Sequence, residues 1–518
     1  MIYRIFKEEF WMSVKVYPVT KIADVCNDYE VYINGEKAEL NTARVSAYPY
    51  NRRWPGKQRQ LDQTELVSFL SMEADEEFEL RIVLREPSLA LRIRPRDLNV
   101  WARISANGEI VMRVPANVGQ FTVEPYGRNR ALHVFVDPVS SYTVDKTVES
   151  VLYFGAGEHD IGDLYLKDGQ TLFIDEGAVV YTTIFALHVN NIKILGRGIL
   201  DNSRNHAKIQ YEANVENNDM AVHNALRENC INILDCKNVE IDGITIRDSL
   251  VYNVDAMSSE EIHINNVKII GCWRFNSDGI HFSNCSNCSI TNSFVRSFDD
   301  SICIRGFANY EYDRFLNDEK EENLSFVCEN ILVKNCVIFN DWGKCLQVGT
   351  ETYAEEIKNV TFEDCKLIHL TGIGLAMWLV DNAHIQNVTF RNIQAENDPY
   401  MLKMNGQPND DAIYTDHYDT DFGGLLIWCS INFHPEYSLI TKVEDLGKID
   451  GVTFENVDFY SLQKPSLTFV GFNSKSTIKN VTLDNIMWND ERMPVFLLDR
   501  MTKRNEWASD ITFVEEQE

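Results

Sequence analysis

The sequence predicts an all-β protein in which an antiparallel β-sandwich over residues 1–140 precedes a parallel β-helix over residues 141–518. Two patterns support this division. From about residue 150 onward one motif recurs, with an Asn or Asp, alternating apolar positions and then a polar turn. The first 140 or so residues alternate between apolar and polar at period two but lack this repeat, which favours antiparallel strands.

The predicted sandwich takes its strands from short alternating segments separated by loops. Side chains of a strand point alternately to its two faces, so each segment can place one apolar face on a core. Residues 49–65 interrupt this pattern and are rich in Arg and Gln. They form either a solvated loop or a loop that reaches into a substrate groove. The alternating segments are VYINGEKAEL, FELRIVLRE and LALRIRPRD.

The predicted β-helix rests on short β-branched segments separated by Asn and Gly turns, with several spacings between 23 and 29 residues. In such a fold each coil buries its apolar side only against neighbouring coils. Asn is expected at the turns because it tolerates left-handed backbone and can form side-chain ladders. Longer gaps indicate loop insertions at residues 310–325 and 396–424. The repeats include NVEIDGITI (238–246), EIHINNVKI (261–269), NCSITNSFV (287–295), NILVKNCVI (330–338), NVTFEDCKL (359–367), NVTFRNIQA (387–395), GVTFENVDF (451–459) and NVTLDNIMW.

Charge and hydropathy exclude several classes of partner. The net charge of −29 disfavours nucleic acid, whose phosphates require a basic surface, and it also disfavours a strongly anionic polymer. No stretch reaches the ~20 apolar residues of a membrane helix, so no membrane partner is expected. The N-terminus lacks an apolar run of signal-peptide length, which predicts a cytoplasmic protein. Oligomeric state is open, with a homo-oligomer compatible with the exposed faces and ends of a β-helix.

The twelve cysteines do not require a metal site or disulfides. Most lie in the strand-like repeats beside Ile, Val and Asn, as expected for small buried apolar side chains in a narrow core. Cys285 and Cys288 form a C-x-x-C pair, but no second pair follows at zinc-site spacing. A cytoplasmic location also disfavours disulfides.

Three carboxylates stand out within the repeat. Asp278 lies in Asn276-Ser277-Asp278-Gly279, and the pair Asp299-Asp300 follows 21 residues later, close to one coil. Since adjacent strands lie about 4.8 Å apart, stacking would bring these groups together. Successive strand residues point to opposite faces, so Asp299 and Asp300 can share a site only where the chain bends. Clustered carboxylates provide the acid and base that glycosidic hydrolysis needs.

The same residues resemble glycoside hydrolases of family 28, the polygalacturonase type, whose motifs are Asn-Thr-Asp, Asp-Asp, Gly-His-Gly and Arg-Ile-Lys. The segment at 276–279 matches the first motif with Ser in place of Thr, and FDDSICIRG (298–306) matches the second. YFGAGEHDIGDLYLKDG (153–169) and GRGILDNS (196–203) are similar to the family's opening coils. The resemblance spans residues 150–490 and implies a right-handed, pectin-lyase-like β-helix.

The resemblance also implies an inverting mechanism with a division of roles. Asp299 would be the general acid that protonates the leaving oxygen, and Asp278 and Asp300 would hold and deprotonate the attacking water. Like charges close together cannot all ionise cheaply, so one carboxyl should keep its proton near neutral pH. Carboxylates of inverting enzymes are generally about 6.5–9.5 Å apart, against about 5 Å for retaining enzymes.

Departures from the family motifs indicate a different sugar from galacturonate. Lys344 occupies the position of the family's His, and residues 372–381 (GIGLAMWLVD) lack the two cations of Arg-Ile-Lys. Those cations would bind a carboxylate. Trp378 stands in this region instead, and an indole suits stacking on the apolar face of a sugar. His281 replaces a residue that is usually acidic in the family.

Further candidates follow from their closeness in sequence to these motifs. Arg305 is either a substrate ligand or a structural ion-pair partner of the carboxylates. Trp428 is expected in the core, and His223 at the surface. The remaining substrate-binding candidates are Asn276, Gln347, Glu351 and Arg227.

The sequence therefore predicts an inverting glycoside hydrolase, exo-acting on oligosaccharides of plants or microbes. Carbohydrate is its expected substrate, and neither cofactor nor metal is expected, because paired carboxylates require only water. A polysaccharide lyase on the same scaffold is one alternative and would depend on Ca²⁺. A non-catalytic carbohydrate-binding β-helix is the other, since a fold alone does not fix function.

Overall fold

A computed structural model describes residues 14–21, 25–47, 64–140, 142–205, 229–274, 276–307, 326–397, 425–434 and 438–515. The chain divides into two compact units. The sandwich unit comprises Met1–Thr42 and Val67–Thr143, and the helix unit comprises Ala43–Leu66 and Val144–Glu518. The described residues contain no helix both long and apolar enough to cross a bilayer.

The sandwich unit confirms the predicted β-sandwich. One sheet has the order β1-β5-β11-β10-β7 and the other β3-β2-β6-β9-β8. Their inner faces share one apolar core that includes Val31, Leu80 and Val134. The pairing is antiparallel apart from β5 and β11, which run parallel. The N-terminal strands are β1 (Val14–Val16), β2 (Tyr29–Ile33), β3 (Glu36–Ala38), β4 (Asn41–Ser46), β5 (Thr64–Ala74), β6 (Phe78–Leu84), β7 (Ile93–Arg94), β8 (Trp101–Ile104), β9 (Glu109–Val114), β10 (Gly119–Val123) and β11 (Leu132–Asp137). A short 3-10 helix covers Arg128–Arg130.

The helix unit is the predicted right-handed parallel β-helix. Its strands join in one 30-stranded sheet, in which each strand pairs with the equivalent strand of the neighbouring coil. The strands are β12 (Val151–Phe154), β13 (Gly157–Tyr165), β14 (Thr171–Ile174), β15 (Ala178–Leu187), β16 (Asn190–Gly196), β17 (Ile199–Asp201), β18 (Ile231–Leu234), β19 (Lys237–Asp242), β20 (Thr245–Arg247), β21 (Val254–Met257), β22 (Glu260–Asn265), β23 (Lys268–Ile270), β24 (Ile280–Ser283), β25 (Ser286–Thr291), β26 (Phe294–Ser297), β27 (Ile302–Gly306), β28 (Val327–Lys334), β29 (Val337–Asn340), β30 (Lys344–Thr352), β31 (Glu356–Glu363), β32 (Lys366–Leu370), β33 (Ile373–Leu379), β34 (His384–Asn397), β35 (Leu425–Ile431), β36 (Lys448–Tyr460), β37 (Ser466–Val470), β38 (Ile478–Trp488), β39 (Glu491–Arg492), β40 (Thr502–Arg504) and β41 (Ile511–Phe513). A 3-10 helix covers Val443–Asp445, and α1 covers Val495–Met501.

Most coils contribute three strands, and the coils stack to form three faces. One face, called the site face here, consists of β18, β21, β24, β27, β30, β33 and β35, paired in parallel in that order. Its inward side chains, such as Phe282, Ile304 and Val348, lie in the apolar core of the coil. Its outward side chains therefore form straight rows that cross from coil to coil.

Asn residues occupy the turns as predicted. Asn287, Asn330, Asn359 and Asn387 take up positive φ values of 56°, 58°, 56° and 55°. The amide Nδ2 groups of the last three donate to the Oδ1 of the Asn one coil before, at 3.0 Å from Asn330, 3.0 Å from Asn359 and 3.3 Å from Asn387. The left-handed turn residue and the ladder thus use the same side chain at each coil.

Most of the cysteines are core residues, as expected. All twelve thiols are free, and eleven of these side chains are buried. Cys285, Cys328 and Cys365 pack among Ile and Val inside the coils.

Candidate active site

The carboxylates stack on neighbouring coils of the site face. Asp278 lies just before β24, Asp300 just before β27, and Lys344 begins β30. The registers Ile280↔Ile302 and Ile302↔Leu346 put these three residues at the same level of successive coils. One coil thus brings together groups separated by as many as 44 residues in sequence.

A bend at residues 298–301 allows Asp299 and Asp300 to share the site, as predicted from strand geometry. Ser297 Oγ donates to the Asp299 carbonyl at 2.7 Å, and Asn340 Nδ2 donates to the same oxygen at 2.8 Å. The Asp300 backbone N–H donates to Asp299 Oδ1 at 2.9 Å, which orients that carboxyl. The side chains of Ser297 and Asn340 therefore hold the bend, while the Asp300 backbone N–H fixes the orientation of the Asp299 carboxyl.

Two glycines permit the close approach of coils at this point. A Cβ on Gly343 would lie 2.5 Å from the Asp299 carbonyl carbon and 2.7 Å from Asp299 Oδ1. A Cβ on Gly279 would lie 2.0 Å from the Ser301 carbonyl oxygen. Any larger residue would push the strands apart where the carboxylates meet.

The three carboxylates form one compact cluster. Asp278, Asp299 and Asp300 each have an oxygen within 4.8 Å of an oxygen of the other two, and their residues are 5%, 8% and 8% exposed. Burial, reinforced by the charges of Asp278 and Asp300, raises the pKa of Asp299 well above its usual value. Its surroundings therefore favour the protonated form of Asp299.

Lys344 forms an ion pair with Asp300. Its Nζ lies 2.9 Å from Oδ2 and 3.1 Å from Oδ1, and its backbone N–H donates to Oδ1 at 2.8 Å. The ammonium also stands 5.5 Å from the ring centre of Trp378. The cation beside Asp300 and the burial of Asp299 give the two neighbouring carboxyls different electrostatic environments.

The spacing of the carboxylates bears on the choice between inverting and retaining chemistry. The 4.8 Å limit refers to the nearest oxygens, whereas about 6.5–9.5 Å separates the carboxyl groups of inverting enzymes in general. The spacing by itself therefore does not favour inversion over retention.

A second row of polar side chains lies beside the carboxylates. The registers Asp255↔His281, His281↔Cys303 and Cys303↔Gln347 align four buried residues across successive coils. His281 and Gln347 were predicted site residues, but Asp255 and Cys303 were missed. Aligning the strand segments VDAM, IHFS, ICIRG and CLQV by their inward residues would have revealed the row.

Two members of this row have distinctive chemistry. Burial, together with the nearby Arg305, lowers the pKa of His281 to about 3, so its imidazole is neutral. The ring packs on Tyr252 with centres 4.2 Å apart. Burial, then the charges of Asp300 and Asp278, raises the pKa of Cys303 well above its usual value, which favours the neutral thiol.

Arg305 lies in an ion-pair network. Its Nη1 is 3.1 Å from Glu351 Oε2, and its Nη2 is 3.6 Å from Asp255 Oδ1. Its Nε donates to Ser283 Oγ at 2.9 Å. The structural ion pair, one of the roles expected for Arg305 from sequence, is thus present with Glu351 and Asp255.

Trp378 heads an aromatic group next to Lys344. Its indole Nε1 donates to Asn432 Oδ1, and its ring lies 5.1 Å from Trp428 and 6.2 Å from His434. Trp428, predicted to be a core residue, is partly buried and packs against a small apolar cluster of Ile373, Ala376 and Leu425. Its register partner is the outward-facing Ala376, so the side chain is partly exposed on the site face.

The remaining sequence candidates fall at the margin. Asn276 is half-buried in the turn before Asp278, with φ of 52°. Arg227, His223 and the segment 310–325 lie outside the described residues, as do nearly all of 49–65 and 396–424.

A metal ion is the alternative occupant of this cluster. Asp278, Asp299 and Asp300 could each supply one ligand atom, and Asp278, His281 and Cys303 form a second such set. Oxygen ligands suit Mg²⁺ or Ca²⁺, although the ion pair to Lys344 already neutralises part of the acidic charge.

Comparison with known proteins finds similarity over the central coils. The family model "Glycosyl hydrolases family 28" matches residues 168–407. An exopolygalacturonase, clone GBGE184, from Arabidopsis thaliana is 34% identical over 82 residues, which are 15% of this chain and 19% of that protein. The match thus spans about a fifth of that relative's length.

Among solved structures, Dex49A from Penicillium minioluteum aligns with a TM-score of 0.54 and 15% identity, covering 96% of this chain and 89% of that one. This likeness concerns the fold. The family match confirms the resemblance to family 28 over the coils that carry Asp278, Asp299 and Asp300. Together with the site, it supports the class of glycoside hydrolases for this protein.

Proposed function

We propose that the protein is an inverting glycoside hydrolase that removes sugars from the ends of plant or microbial oligosaccharides. One observation carries this proposal: three buried carboxylates meet within 4.8 Å, one with a raised pKa and another ion-paired with Lys344. Such a cluster holds a proton donor and a proton acceptor at the same pH.

In the proposed reaction Asp299 donates its proton to the glycosidic oxygen as the bond from that oxygen to the anomeric carbon breaks. Asp278 and Asp300 hold a water molecule, and one of them takes its proton as the water oxygen bonds to the anomeric carbon. The proton taken from water leaves to solvent, and Asp299 regains one from solvent. Lys344 keeps Asp300 in place throughout.

Inversion is supported by the family resemblance and by the third carboxylate, since two groups can position water while the other acts as acid. Action at chain ends is supported by the short match to an exopolygalacturonase. The acid sugar in that relative's name does not transfer with it, because residues 372–381 lack the expected pair of cations.

The test compares wild type with Asp299→Asn on a panel of plant and microbial oligosaccharides, with and without EDTA. We expect release of reducing ends that EDTA leaves unchanged and that falls about 10²- to 10⁴-fold in the variant, the usual contribution of a general acid. The exposed Asp163→Asn on β13 is the matched control. Proton NMR of the first product should show the anomer opposite to that of the substrate.

Three results would contradict the proposal. Retention of anomeric configuration would make one carboxylate a nucleophile. An unsaturated, ultraviolet-absorbing product that disappears with EDTA would indicate a lyase. Full activity of Asp299→Asn would show that the carboxylate cluster does not carry out the reaction.

A further inference from the structure

The row beside the carboxylates contains buried polar atoms that the described protein leaves without a partner. Neither His281 Nδ1 nor Nε2 has a hydrogen-bond partner, and the same is true of Gln347 Oε1. His281 is 2% exposed and Gln347 is 1% exposed. His281 Nε2 lies 3.1 Å from Asp278 Oδ2, but the two are not aligned for a hydrogen bond. Buried polar atoms normally have partners, so these atoms point to a ligand or to ordered water.

His281 lies beside Asp278, and Gln347 lies two coils further along the same row. His281 is three residues after Asp278, and Gln347 is three residues after Lys344. Cys303 stands between them in the row, three residues after Asp300. A sugar ring held at the carboxylates would therefore rest over this row, with its hydroxyls facing it.

The hydrogen-bonding groups of His281 and Gln347 are neutral. The imidazole of His281 offers one donor and one acceptor, and the free Gln347 Oε1 accepts. Gln347 Nε2 already donates to Thr350 Oγ1 at 3.2 Å, which fixes the direction of the amide. Donor and acceptor groups of this kind match hydroxyls and would leave a sugar carboxylate without a counter-charge.

The nearby cations are already bound to acids. Lys344 is held by Asp300, and Arg305 is held by Glu351 and Asp255. In this described part of the site the acids outnumber these two cations, even with Asp299 protonated. An anionic sugar would meet net negative charge at this position.

We propose that the sugar bound at the carboxylates is uncharged and that His281 and Gln347 bind its hydroxyls as specificity-determining residues. This inference rests on the proposed function and adds its substrate class. An acidic sugar of the same configuration, in which a carboxylate replaces the primary hydroxyl, is excluded by charge and not by size.

The first test is a matched pair of substrates, galacto-oligosaccharides against oligogalacturonates, extended to gluco-, xylo-, arabino- and rhamno-oligosaccharides. Turnover is measured with wild type, and binding is measured by calorimetry with Asp299→Asn. We expect at least one neutral series to be bound and hydrolysed, and oligogalacturonates to be neither.

Tight binding or turnover of oligogalacturonates would overturn the inference while leaving the hydrolase proposal standing. If wild type binds a neutral series but does not hydrolyse it, the hydrolase proposal is overturned and the inference about an uncharged sugar stands. A panel with no neutral ligand at all would overturn the inference.

The second test asks whether His281 and Gln347 form hydrogen bonds with hydroxyls of the bound sugar. Gln347→Ala and His281→Ala should each lower kcat/KM for the accepted sugar about tenfold, the usual worth of one or two hydrogen bonds. On a deoxy analogue that lacks the contacted hydroxyl, the same variant should lose almost nothing, whereas a folding defect would lower both equally. His281→Asn, which keeps a donor and an acceptor, should recover part of the activity.

Matched controls lie on other strands of the helix unit. His263→Ala changes an exposed histidine that contacts Ser289 Oγ, and Gln386→Ala changes a glutamine bound to Glu356. Both should behave as wild type on every substrate. Equal losses on the normal and deoxy sugars in the row variants would show that His281 and Gln347 only support the structure.

Discussion

Asp299 and Asp300 are adjacent in sequence but face opposite electrostatic conditions. Asp299 is buried against two other carboxyls, which raises its pKa, whereas Asp300 has a cation within 2.9 Å. These local environments explain why the carboxyl of Asp299 can give a proton and that of Asp300 can receive one. Lys344 acts on both, because its charge also lowers the pKa of Asp299 in part.

Replacement of Lys344 by Met should move the alkaline limb of the pH–rate profile to higher pH. The limb reports loss of the proton from Asp299, and removing a cation disfavours the carboxylate, which raises the pKa of Asp299 further. The rate at the optimum should also fall, because Asp300 loses its ion-pair partner. The measurement is kcat/KM against pH on the accepted sugar.

The control is Lys334→Met, which removes a partly exposed ion pair to Glu363 on another face. Its pH profile should match wild type. A limb that stays in place or moves to lower pH in Lys344→Met would show that Asp299 does not set it.

At the scale of elements, the site depends on how closely β27 and β30 approach at their first residues. Gly343 precedes β30 and allows it to lie against the Asp299 carbonyl. The hydrogen bond from Ser301 N–H to the Lys344 carbonyl, 2.8 Å long, joins the two coils at this level. Strand register and a glycine thus set the distance between acid and base.

Gly343→Ala should remove most of the activity while leaving the fold intact. Its Cβ would press on Asp299 at 2.5–2.7 Å, and such overpacking typically costs about 1–3 kcal/mol of folding stability. The measurements are kcat/KM and the midpoint of urea unfolding. Gly155→Ala is the control, because its Cβ would meet only the Tyr153 ring, at 3.3 Å or more. Wild-type kcat/KM in Gly343→Ala would show that the close approach is not needed for catalysis.

At the scale of the whole molecule, the net charge of −29 agrees with an uncharged substrate. Long-range repulsion slows the approach of anions and is screened by salt. We therefore expect kcat/KM on a neutral oligosaccharide to change little between low and physiological ionic strength. Any residual binding of oligogalacturonate should strengthen as salt is added. Weakening with salt would instead reveal a cationic subsite, and rate and calorimetric titrations across ionic strength distinguish the two.

The fold could be predicted almost fully, because each coil repeats its own pattern and a left-handed Asn marks the turns, as at Asn330 and Asn359. The carboxylates were predictable because Asp278 and Asp299 lie one coil apart. Asp255 was not, since it follows no motif and joins the site only through register with His281. The neighbours of Trp428 were not predictable for a similar reason, because Ala376 meets it only through the register of β33 and β35. The cytoplasmic location stays a prediction.

The stacking of Asp278, Asp300 and Lys344 on successive coils has a consequence for the evolution and engineering of the protein. The chemistry belongs to β24, β27 and β30, whereas Trp378 and Trp428 belong to the next two rungs, β33 and β35. A single rung can therefore be exchanged for one with other outward side chains without disturbing the backbone that carries the reaction. The range of substrates that such a scaffold accepts can therefore change through substitutions confined to one coil at a time.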